Sequence, residues 1–139
     1  MTTPAYQQMI FVNLPANDLD ASKKFFTELG YGINPQFSDD NAASVVISDT
    51  IVAMLLTKPF YSTFTRKDIA DASTTSEVLI ALSAESREKV DELVGKAVAA
   101  GGTANADVQD HGYMYGRSFD DLDGHTWEVV WMDPSAVQG

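Results

Sequence analysis

The hydrophobic positions of the chain follow a strand period and then a helix period, and this order occurs twice. In the first half, the apolar run from Gln7 to Leu14 predicts a strand. The segment from Leu19 to Leu29 places its apolar residues on one face of a helix. Asp18 is suited to cap the start of this helix, and Gly30 is suited to the left-handed position at its end.

Two β-branched runs follow the first helix, from Ala43 to Ser48 and from Ile51 to Thr57. Only Asp49 and Thr50 separate them, and two residues between strands predict a tight hairpin. A further short strand is expected from Gln36 to Ser38. The first half therefore predicts a β-α-β-β-β module.

The second half of the chain repeats this order. A strand is predicted from Ser76 to Leu82, and a helix from Ser86 to Ala100 that ends at Gly101-Gly102. Three more strands are predicted: Thr103 to Val108, Tyr113 to Phe119 and Thr126 to Trp131. The chain is thus interpreted as one α+β domain, residues 1–139, with modules at about 7–58 and 76–133. The linker, about 59–75, carries enough aromatic residues that we expect it to pack on the body, close over a cleft or meet a second subunit.

Composition narrows the possible functions. The chain has 139 residues and no cysteine, which excludes disulfides, thiolate metal sites and a cysteine nucleophile. Lys plus Arg number 9 against 20 Asp plus Glu, a formal net charge of -11, which argues against a nucleic-acid partner. Neither a signal peptide nor a membrane span is evident, so a cytoplasmic location is expected.

The residues from Phe119 to Val130 read FDDLDGHTWEVV, a strand, a tight Asp-Gly turn and a strand that carries Glu128. This run resembles the closing hairpin of the glyoxalase, bleomycin resistance and extradiol dioxygenase superfamily, also called the vicinal oxygen chelate (VOC) superfamily. The stretch from Val12 to Phe26 resembles the first strand and helix of the same superfamily. The resemblance covers about Met9 to Pro134 and implies two modules whose mixed sheets form a curved half-barrel around a ligand cavity.

The resemblance also implies where metal ligands would lie, since metal-binding members use four side chains, typically histidine and glutamate. The corresponding positions here are Phe11, Met54 or Leu55, Glu77 and Glu128. Phenylalanine, methionine and leucine are not ligands for a hard divalent cation. Of these positions, only Glu77 and Glu128 could bind a metal, and further donors would have to come from His111, Asp110, Asn13 or water. We therefore expect the usual four-ligand site, and hence any cofactor, to be absent.

Other side chains are candidates for ligand contact or catalysis. Strand alternation places Tyr113, Tyr115, Arg117 and Phe119 on one face and Met114, Gly116 and Ser118 on the other, and one of the two faces is expected to line the cavity. His111 could act as a general base oriented by Asp110, or could be a loop residue in water. The predicted ligand-binding residues are Phe11, Asn13, Leu55, Glu77, Tyr113, Tyr115, Arg117 and Glu128, and the predicted catalytic residues are Glu128 and His111.

Two hypotheses for function remain open. The first is a metal-free protein of the bleomycin-resistance kind that binds or sequesters a small polar or aromatic, possibly cationic, compound. The alternative is a glyoxalase-type lyase, isomerase or dioxygenase that uses one divalent ion held by Glu77 and Glu128. A metal-independent enzyme with Glu128 or His111 as base cannot be separated from the binder. By resemblance, a homodimer is expected, with a small-molecule ligand and no membrane partner.

Overall fold

The computed structural model describes residues 6–104 and 107–136. The chain forms two compact units, Met1–Ile69 and Ala70–Gly139. Each unit contains one mixed, open sheet and at least one helix, which confirms the α+β class. In the part of the chain that the structure describes, no helix is both long and apolar enough to cross a membrane.

Unit 1 is built on a four-stranded sheet with the order β1-β4-β3-β2. Strands β1 and β4 are parallel, and the other neighbouring pairs are antiparallel. Its elements are β1 (Ile10–Ala16), α1 (Leu19–Glu28), β2 (Gly32–Asn34), β3 (Ala42–Val46), β4 (Ile51–Thr57) and α2 (Lys58–Tyr61). The turn between β3 and β4 closes where Asp49 and Thr50 predict it, with the Ser48 amide donating to the Ile51 carbonyl at 3.1 Å.

The ends of α1 follow the sequence prediction. The Asp18 carboxylate accepts a hydrogen bond from the Ala21 amide at 3.1 Å, which satisfies one of the amides left open at a helix start. Gly30 has a φ of 107°, which a residue with a side chain rarely adopts. Between these ends, Phe25 and Phe26 are 1% exposed and anchor the helix in the core of unit 1.

One predicted strand in unit 1 is wrong, because Pro35–Phe37 forms a 3-10 turn instead of extended structure at Gln36 to Ser38. The Asn34 side chain accepts a hydrogen bond from the Gln36 amide at 3.0 Å, and the Ser38 hydroxyl donates to the Asn34 carbonyl at 2.6 Å. Proline fixes φ and has no amide to give to a ladder. These local bonds favour the turn, and β2 ends at Asn34.

The predicted linker begins as part of unit 1. Helix α2 contacts β1 and β4, so this segment packs on the body of the unit. The Phe60 and Phe64 rings meet edge to face with their centroids 5.1 Å apart. Phe64 remains 69% exposed.

Unit 2 is built on a five-stranded sheet with the order β5-β9-β8-β6, and β7 also pairs with β8. Strands β5 and β9 are parallel, and the remaining pairs are antiparallel. Its elements are β5 (Ile80–Ser83), α3 (Arg87–Ala99), β6 (Thr103–Ala104), β7 (Gln109–Asp110), β8 (Met114–Asp120) and β9 (Thr126–Met132). The module order predicted from the sequence is therefore present, with its outer strand divided in two.

Two strand predictions in unit 2 need correction. The strand predicted from Ser76 to Leu82 begins only at Ile80, which pairs with Trp127. Strand β9 starts at Thr126, so it has no residue that could pair with residues 76–78. The strand predicted from Thr103 to Val108 is not continuous. Strand β6 ends at Ala104, residues 105 and 106 lie outside the described part, and pairing resumes at Gln109.

Helix α3 covers one face of this sheet. The Ser86 hydroxyl accepts a hydrogen bond from the Lys89 amide at 3.1 Å, as its capping position predicts. The Phe119 and Trp127 rings stack almost parallel, with an interplanar angle of 8°. The most deeply buried apolar side chains of the unit, each at most 1% exposed, are Val90, Val94, Ala97, Phe119, Trp127 and Val129.

Candidate functional site

A groove of about 270 Å³ opens on the sheet of unit 2. Strands β8 and β9 provide most of its lining, and β7 and the residue at 107 provide one rim. The lining residues are Asp107, Gln109, Met114, Gly116, Arg117, Ser118, Glu128 and Val130. Methionine and valine give the groove apolar contact surface, while carboxylate, amide and hydroxyl groups give it polar contacts. Such a mixture is typical of small-molecule sites.

Glu128 lies on this surface because of the strand register. Ser118 pairs with Glu128 and Gly116 pairs with Val130 across β8 and β9, so these side chains share one face. Gly116 has no side chain, so it leaves space in the groove beside Val130. A Cβ there would lie 3.6 Å from the Val130 Cγ2 atom. Within the described residues, the half-buried Glu128 carboxylate has neither a hydrogen bond nor an ion pair.

The charge of the groove is negative. Asp107 supplies a second carboxylate, and within the described ranges no cation pairs with it or with Glu128. Arg117 borders the groove, but its guanidinium Nη1 atom donates to the Asp91 Oδ1 atom of α3 at 3.0 Å. That contact directs the positive charge of Arg117 to the helix-covered side of the sheet.

Tyr115 and Arg117 lie on the opposite face of β8 from Ser118. The Tyr115 hydroxyl donates to Asp91 at 2.7 Å, beside the Arg117 contact. This hydrogen bond from Tyr115 is the main reason that the pKa of Asp91 is lowered, and the pKa of Tyr115 is raised in return. The two residues that the sequence predicts as ligand contacts thus have a carboxylate of α3 as their partner, and their contact with a ligand stays a prediction.

The other predicted residues of unit 2 do not line the groove. His111 and Tyr113 are exposed, with their ring centroids 6.4 Å apart. Asp110, expected to orient His111, is instead bound to Arg87. Glu77 is exposed and precedes β5. A catalytic role for His111 and a ligand role for Glu77 or Tyr113 remain predictions.

In unit 1, the residues at the predicted ligand positions lie on both faces of the sheet. Asn13 pairs with Met54 in the β1–β4 register, and Phe11 shares their face by strand alternation. Leu55 is on the other face and is only 1% exposed. Met54, rather than Leu55, is therefore the β4 residue on the side of Phe11 and Asn13.

A divalent metal is implied by the superfamily that the sequence resembles, and the donor atoms of the groove can be compared with that requirement. Within the described residues, groups of three or more potential ligands from His, Cys, Asp and Glu occur only at Asp121, Asp123 and His125, where the ligand atoms lie within 4.8 Å of one another. Glu128 is not part of that group. The groove does not fit a four-ligand site of histidines and glutamates.

The Asp121 group has a structural role in the turn between β8 and β9. The Asp121 carboxylate accepts hydrogen bonds from the Asp123 and His125 amides, each at 3.0 Å, and from the Trp127 indole at 2.9 Å. Burial raises the pKa of Asp121. The interpretation of this run as turn chemistry agrees with these contacts.

Sequence reasoning did not identify most of the groove residues. Asp107, Gln109, Met114, Gly116, Ser118 and Val130 were all missed. A signal for four of them was present, because Phe119 and Trp127 are the largest apolar residues of β8 and β9 and mark the core face. Alternation from Phe119 puts Arg117 and Tyr115 on that face and Ser118, Gly116 and Met114 opposite. Alternation from Trp127 puts Glu128 and Val130 opposite as well.

Comparisons with known proteins agree with this architecture. Residues 8–48 match the family described as bleomycin resistance protein-like N-terminal. A hypothetical protein from S. aureus has a similar structure, with a TM-score of 0.76 and 27% identity, over 91% of this chain and 95% of that chain. The chain is similar to proteins of the glyoxalase, bleomycin resistance and dioxygenase superfamily and shares their fold.

Two further solved structures show how far the fold extends. A glyoxalase-related enzyme from Fulvimarina pelagi matches with a TM-score of 0.76 and 21% identity, over 91% of this chain and 88% of that chain. A fosfomycin resistance protein from Listeria monocytogenes matches with a TM-score of 0.67 and 16% identity, over 94% of this chain and 98% of that chain. At these identities the likeness shows the fold alone. No curated protein matches the sequence.

Proposed function

We propose that this VOC protein binds a small cationic or polar aromatic molecule in the groove of unit 2, without the four-ligand metal site of the superfamily's metal enzymes. One observation carries the proposal. Glu128 and Asp107 present carboxylates to a groove with apolar walls, and among the described residues neither has a cationic partner.

A half-buried carboxylate that has no cationic partner, such as that of Glu128 among the described residues, has a less favourable solvation free energy than one in water. A carboxylate that is half withdrawn from water loses hydration, and a ligand cation replaces it with a direct interaction. Met114 and Val130 offer apolar surface on which the flat part of a ligand can rest. Gln109 and Ser118 add groups that can donate or accept hydrogen bonds and so orient the ligand. A neutral or anionic compound of the same shape would gain less binding free energy from the carboxylates of the groove.

The proposal is tested by an NMR titration of the isotope-labelled protein with 1-methylquinolinium, a flat aromatic cation. Quinoline, which is uncharged at neutral pH, is the matched neutral probe. We expect 1-methylquinolinium to shift the amide signals of Gly116, Ser118 and Val130 and to bind several-fold more tightly than quinoline. Equal binding of the two probes, or no shift at these amides, would contradict the proposal.

A pair of matched substitutions assigns the effect to the groove. Glu128→Gln and Glu77→Gln remove the same charge, but Glu77 is exposed and does not line the groove. We expect Glu128→Gln to weaken binding of 1-methylquinolinium about tenfold, which corresponds to about 1.4 kcal/mol, and Glu77→Gln to leave it unchanged. Equal effects of the two variants would show that only the overall negative charge attracts the probe.

The same labelled protein tests the metal-dependent alternative. Mn²⁺ is paramagnetic and broadens the signals of nuclei close to it. One equivalent of Mn²⁺ that broadens the groove signals in the wild-type protein, and not in Glu128→Gln, would favour the lyase or dioxygenase reading. Broadening spread over the acidic surface in both proteins would leave the metal-free proposal in place.

A further inference from the structure

Strand β7 is the shortest part of the groove wall and has residues that point in opposite directions. Gln109 pairs with Gly116 and lines the groove. Asp110 pairs with Tyr115, and its carboxylate lies on the side of α3, where it meets Arg87. Adjacent strand residues alternate between faces, so a contact that fixes Asp110 also fixes the direction of Gln109.

Arg87 holds Asp110 with a complete set of contacts. Its Nη1 and Nη2 atoms donate to the two Asp110 oxygens, each at 2.9 Å, and Nη2 also donates to the Gly112 carbonyl at 2.9 Å. Asp110 in turn accepts from the Gly112 amide at 3.0 Å. One guanidinium therefore binds the last residue of β7 and a residue within the turn that follows it.

Two aromatic rings fix the position of the guanidinium. The Arg87 Cζ atom lies 5.0 Å from the centroid of the Tyr115 ring and 5.3 Å from that of the Trp131 ring. Both distances are within the range of a cation–π contact. Arg87 is the first residue of α3, whose apolar face is buried on the sheet, so the anchor is part of a rigid element.

Most exposed ion pairs contribute little to stability, because two long side chains must be ordered in water. The Arg87–Asp110 pair differs in three respects. Its two hydrogen bonds are bidentate, the Arg87 guanidinium also donates to the Gly112 carbonyl, and the guanidinium lies against two aromatic rings. Hydrogen bonds from Arg87, and then from the Gly112 amide, lower the pKa of Asp110 to about 2.

The geometry points to Arg87 as a positioning residue that acts through Asp110, fixing β7 so that Gln109 forms the rim of the groove. The role of Gln109 in ligand binding rests on the proposed function, whereas the positioning of β7 by Arg87 does not. Two ladder pairs alone connect β7 to β8. Without the Arg87 contact, Gln109 would sample other orientations and a bound ligand would lose a polar partner.

The inference is tested first without a ligand, by comparing the wild-type protein with Arg87→Ala, Arg87→Lys and Lys96→Ala. Lys96 pairs with Glu92 at 3.2 Å on the same helix, so Lys96→Ala is a matched loss of an ion pair away from β7. The His111 amide, which donates to the Met114 carbonyl at 2.9 Å, reports on the turn. The Gly102 amide, which donates to the Ala97 carbonyl, reports on the rest of unit 2.

We expect Arg87→Ala to accelerate hydrogen exchange at His111 by about tenfold and to leave exchange at Gly102 unchanged. Arg87→Lys keeps the charge but not the fork, so we expect it to fall between the wild-type protein and Arg87→Ala. Lys96→Ala should match the wild-type protein at both amides. Nuclear Overhauser contacts between the Gln109 and Gly116 protons should weaken in Arg87→Ala. Unchanged exchange at His111, or equal acceleration at both amides, would overturn the positioning role.

The second step measures binding of 1-methylquinolinium to the same variants. We expect Arg87→Ala to weaken it roughly threefold, in the range of couplings between neighbouring residues, and Lys96→Ala to have no effect. If the wild-type protein does not bind the probe, the proposed function fails while the exchange data still decide the role of Arg87. If the wild-type protein binds and Arg87→Ala binds equally well, Arg87 does not shape the groove.

Discussion

Units 1 and 2 share one order of elements but differ in what their sheets present on the face away from the helix-side core. In each unit the first strand runs parallel to the last, and the remaining strands are antiparallel. In unit 1 that face carries Phe11, Asn13 and Met54. In unit 2 the corresponding face carries Ser118 and Glu128. The fold requires apolar residues on the core face, whereas the other face can change its chemistry while the strand order is kept.

The units also differ in how their outer strands are held. In unit 1, β2 runs directly into a 3-10 turn that Asn34 and Ser38 stabilise with short local hydrogen bonds. In unit 2 the outer strand is divided into β6 and β7, and a long-range contact from Arg87 holds the second part. A hydrogen bond between residues that are close in the chain persists while its turn is formed. A contact between distant residues, in contrast, can be removed by one substitution. Matched substitutions in the two units therefore measure how far each unit depends on its local and long-range contacts.

The largest expected effect is at the turn glycines. Gly124 in unit 2 has a φ of 90°, and a Cβ there would lie 2.8 Å from both the N and Cα atoms of Ser73. We expect Gly124→Ala to lower the free energy of unfolding by about 3 kcal/mol, from backbone strain and overlap together. Gly30 in unit 1 has a φ of 107° but no atom within 4 Å of the added Cβ, so Gly30→Ala should cost only about 1–2 kcal/mol.

Urea unfolding of the two glycine variants measures this difference. Equal losses would mean that the turn at Gly124 can move away from Ser73, and that strain in φ alone accounts for both values.

The next largest effect concerns the carboxylates that organise turns. Asp121 in unit 2 is 7% exposed and accepts three hydrogen bonds, one of them from the Trp127 indole. We expect Asp121→Ala to lower the free energy of unfolding by about 2 kcal/mol, because it leaves buried donors without a partner. Asp39 in unit 1 is exposed, and within the described residues its carboxylate accepts two hydrogen bonds, from the amides of Asn41 and Ala42. Asp39→Ala should therefore cost roughly 0.5 kcal/mol.

Chemical denaturation followed by the far-ultraviolet circular dichroism signal, to which the secondary structure of both units contributes, tests this pair of variants. A loss for Asp39→Ala as large as that for Asp121→Ala would show that burial of the carboxylate is not what separates the two turns.

The pH dependence of the Arg87 contact gives a smaller, local effect. Arg87 lowers the pKa of Asp110 from an ordinary 3.8 to about 2. Because the folded-state pKa is lowered, the stabilisation is complete above pH 3.8 and is lost as the pH falls through about 2. The contact should thus be intact at pH 5. Titration of the Asp110 side-chain carbon by NMR should show this low pKa in the wild-type protein and a higher pKa in Arg87→Ala, still below the ordinary value while the Gly112 amide donates to Asp110. The same pKa in both proteins would contradict a direct Arg87 contact in solution.

The smallest expected effect compares two tyrosine hydroxyls. Tyr115 in unit 2 donates to Asp91, and Tyr115→Phe should lower the free energy of unfolding by about 0.5–1 kcal/mol. Burial raises the pKa of Tyr31 in unit 1, and no hydrogen bond of its hydroxyl occurs within the described residues. Tyr31→Phe should change stability by less than about 0.5 kcal/mol. Thermal unfolding of both variants tests the comparison, and a larger loss for Tyr31→Phe would reverse it.

Much of the fold could be predicted from local signals. The helix that Asp18 and Gly30 bound, and the helix that Ser86 caps, have their ends where the capping residues place them, because a cap acts over three or four residues. The strand from Ile51 to Thr57 has the predicted bounds. The strand predicted at Gln36 to Ser38 failed because hydrogen bonds from the Gln36 amide and the Ser38 hydroxyl to Asn34 competed with the ladder.

The candidate site was less accessible to prediction. The sequence pointed to Glu128, which the structure places in a groove, but it also pointed to Tyr115 and Arg117, whose hydroxyl and guanidinium meet Asp91 on the opposite face. Alternation gives the two faces of a strand without saying which face is covered. The stacked Phe119 and Trp127 rings decide this only once the two strands are paired.

The sequence alone determined the order of the elements, the helix ends and the hairpin at Asp49-Thr50, and it carries the resemblance to the VOC superfamily. Each depends on residues that are near one another in the chain or on a pattern that recurs along it. The tertiary structure decided the register of Ser118 with Glu128, the groove that follows from it, and the contact of Arg87 with Asp110, 23 residues away. These features depend on which distant residues come into contact when the helix packs on its sheet, and a pattern along the chain does not contain that information.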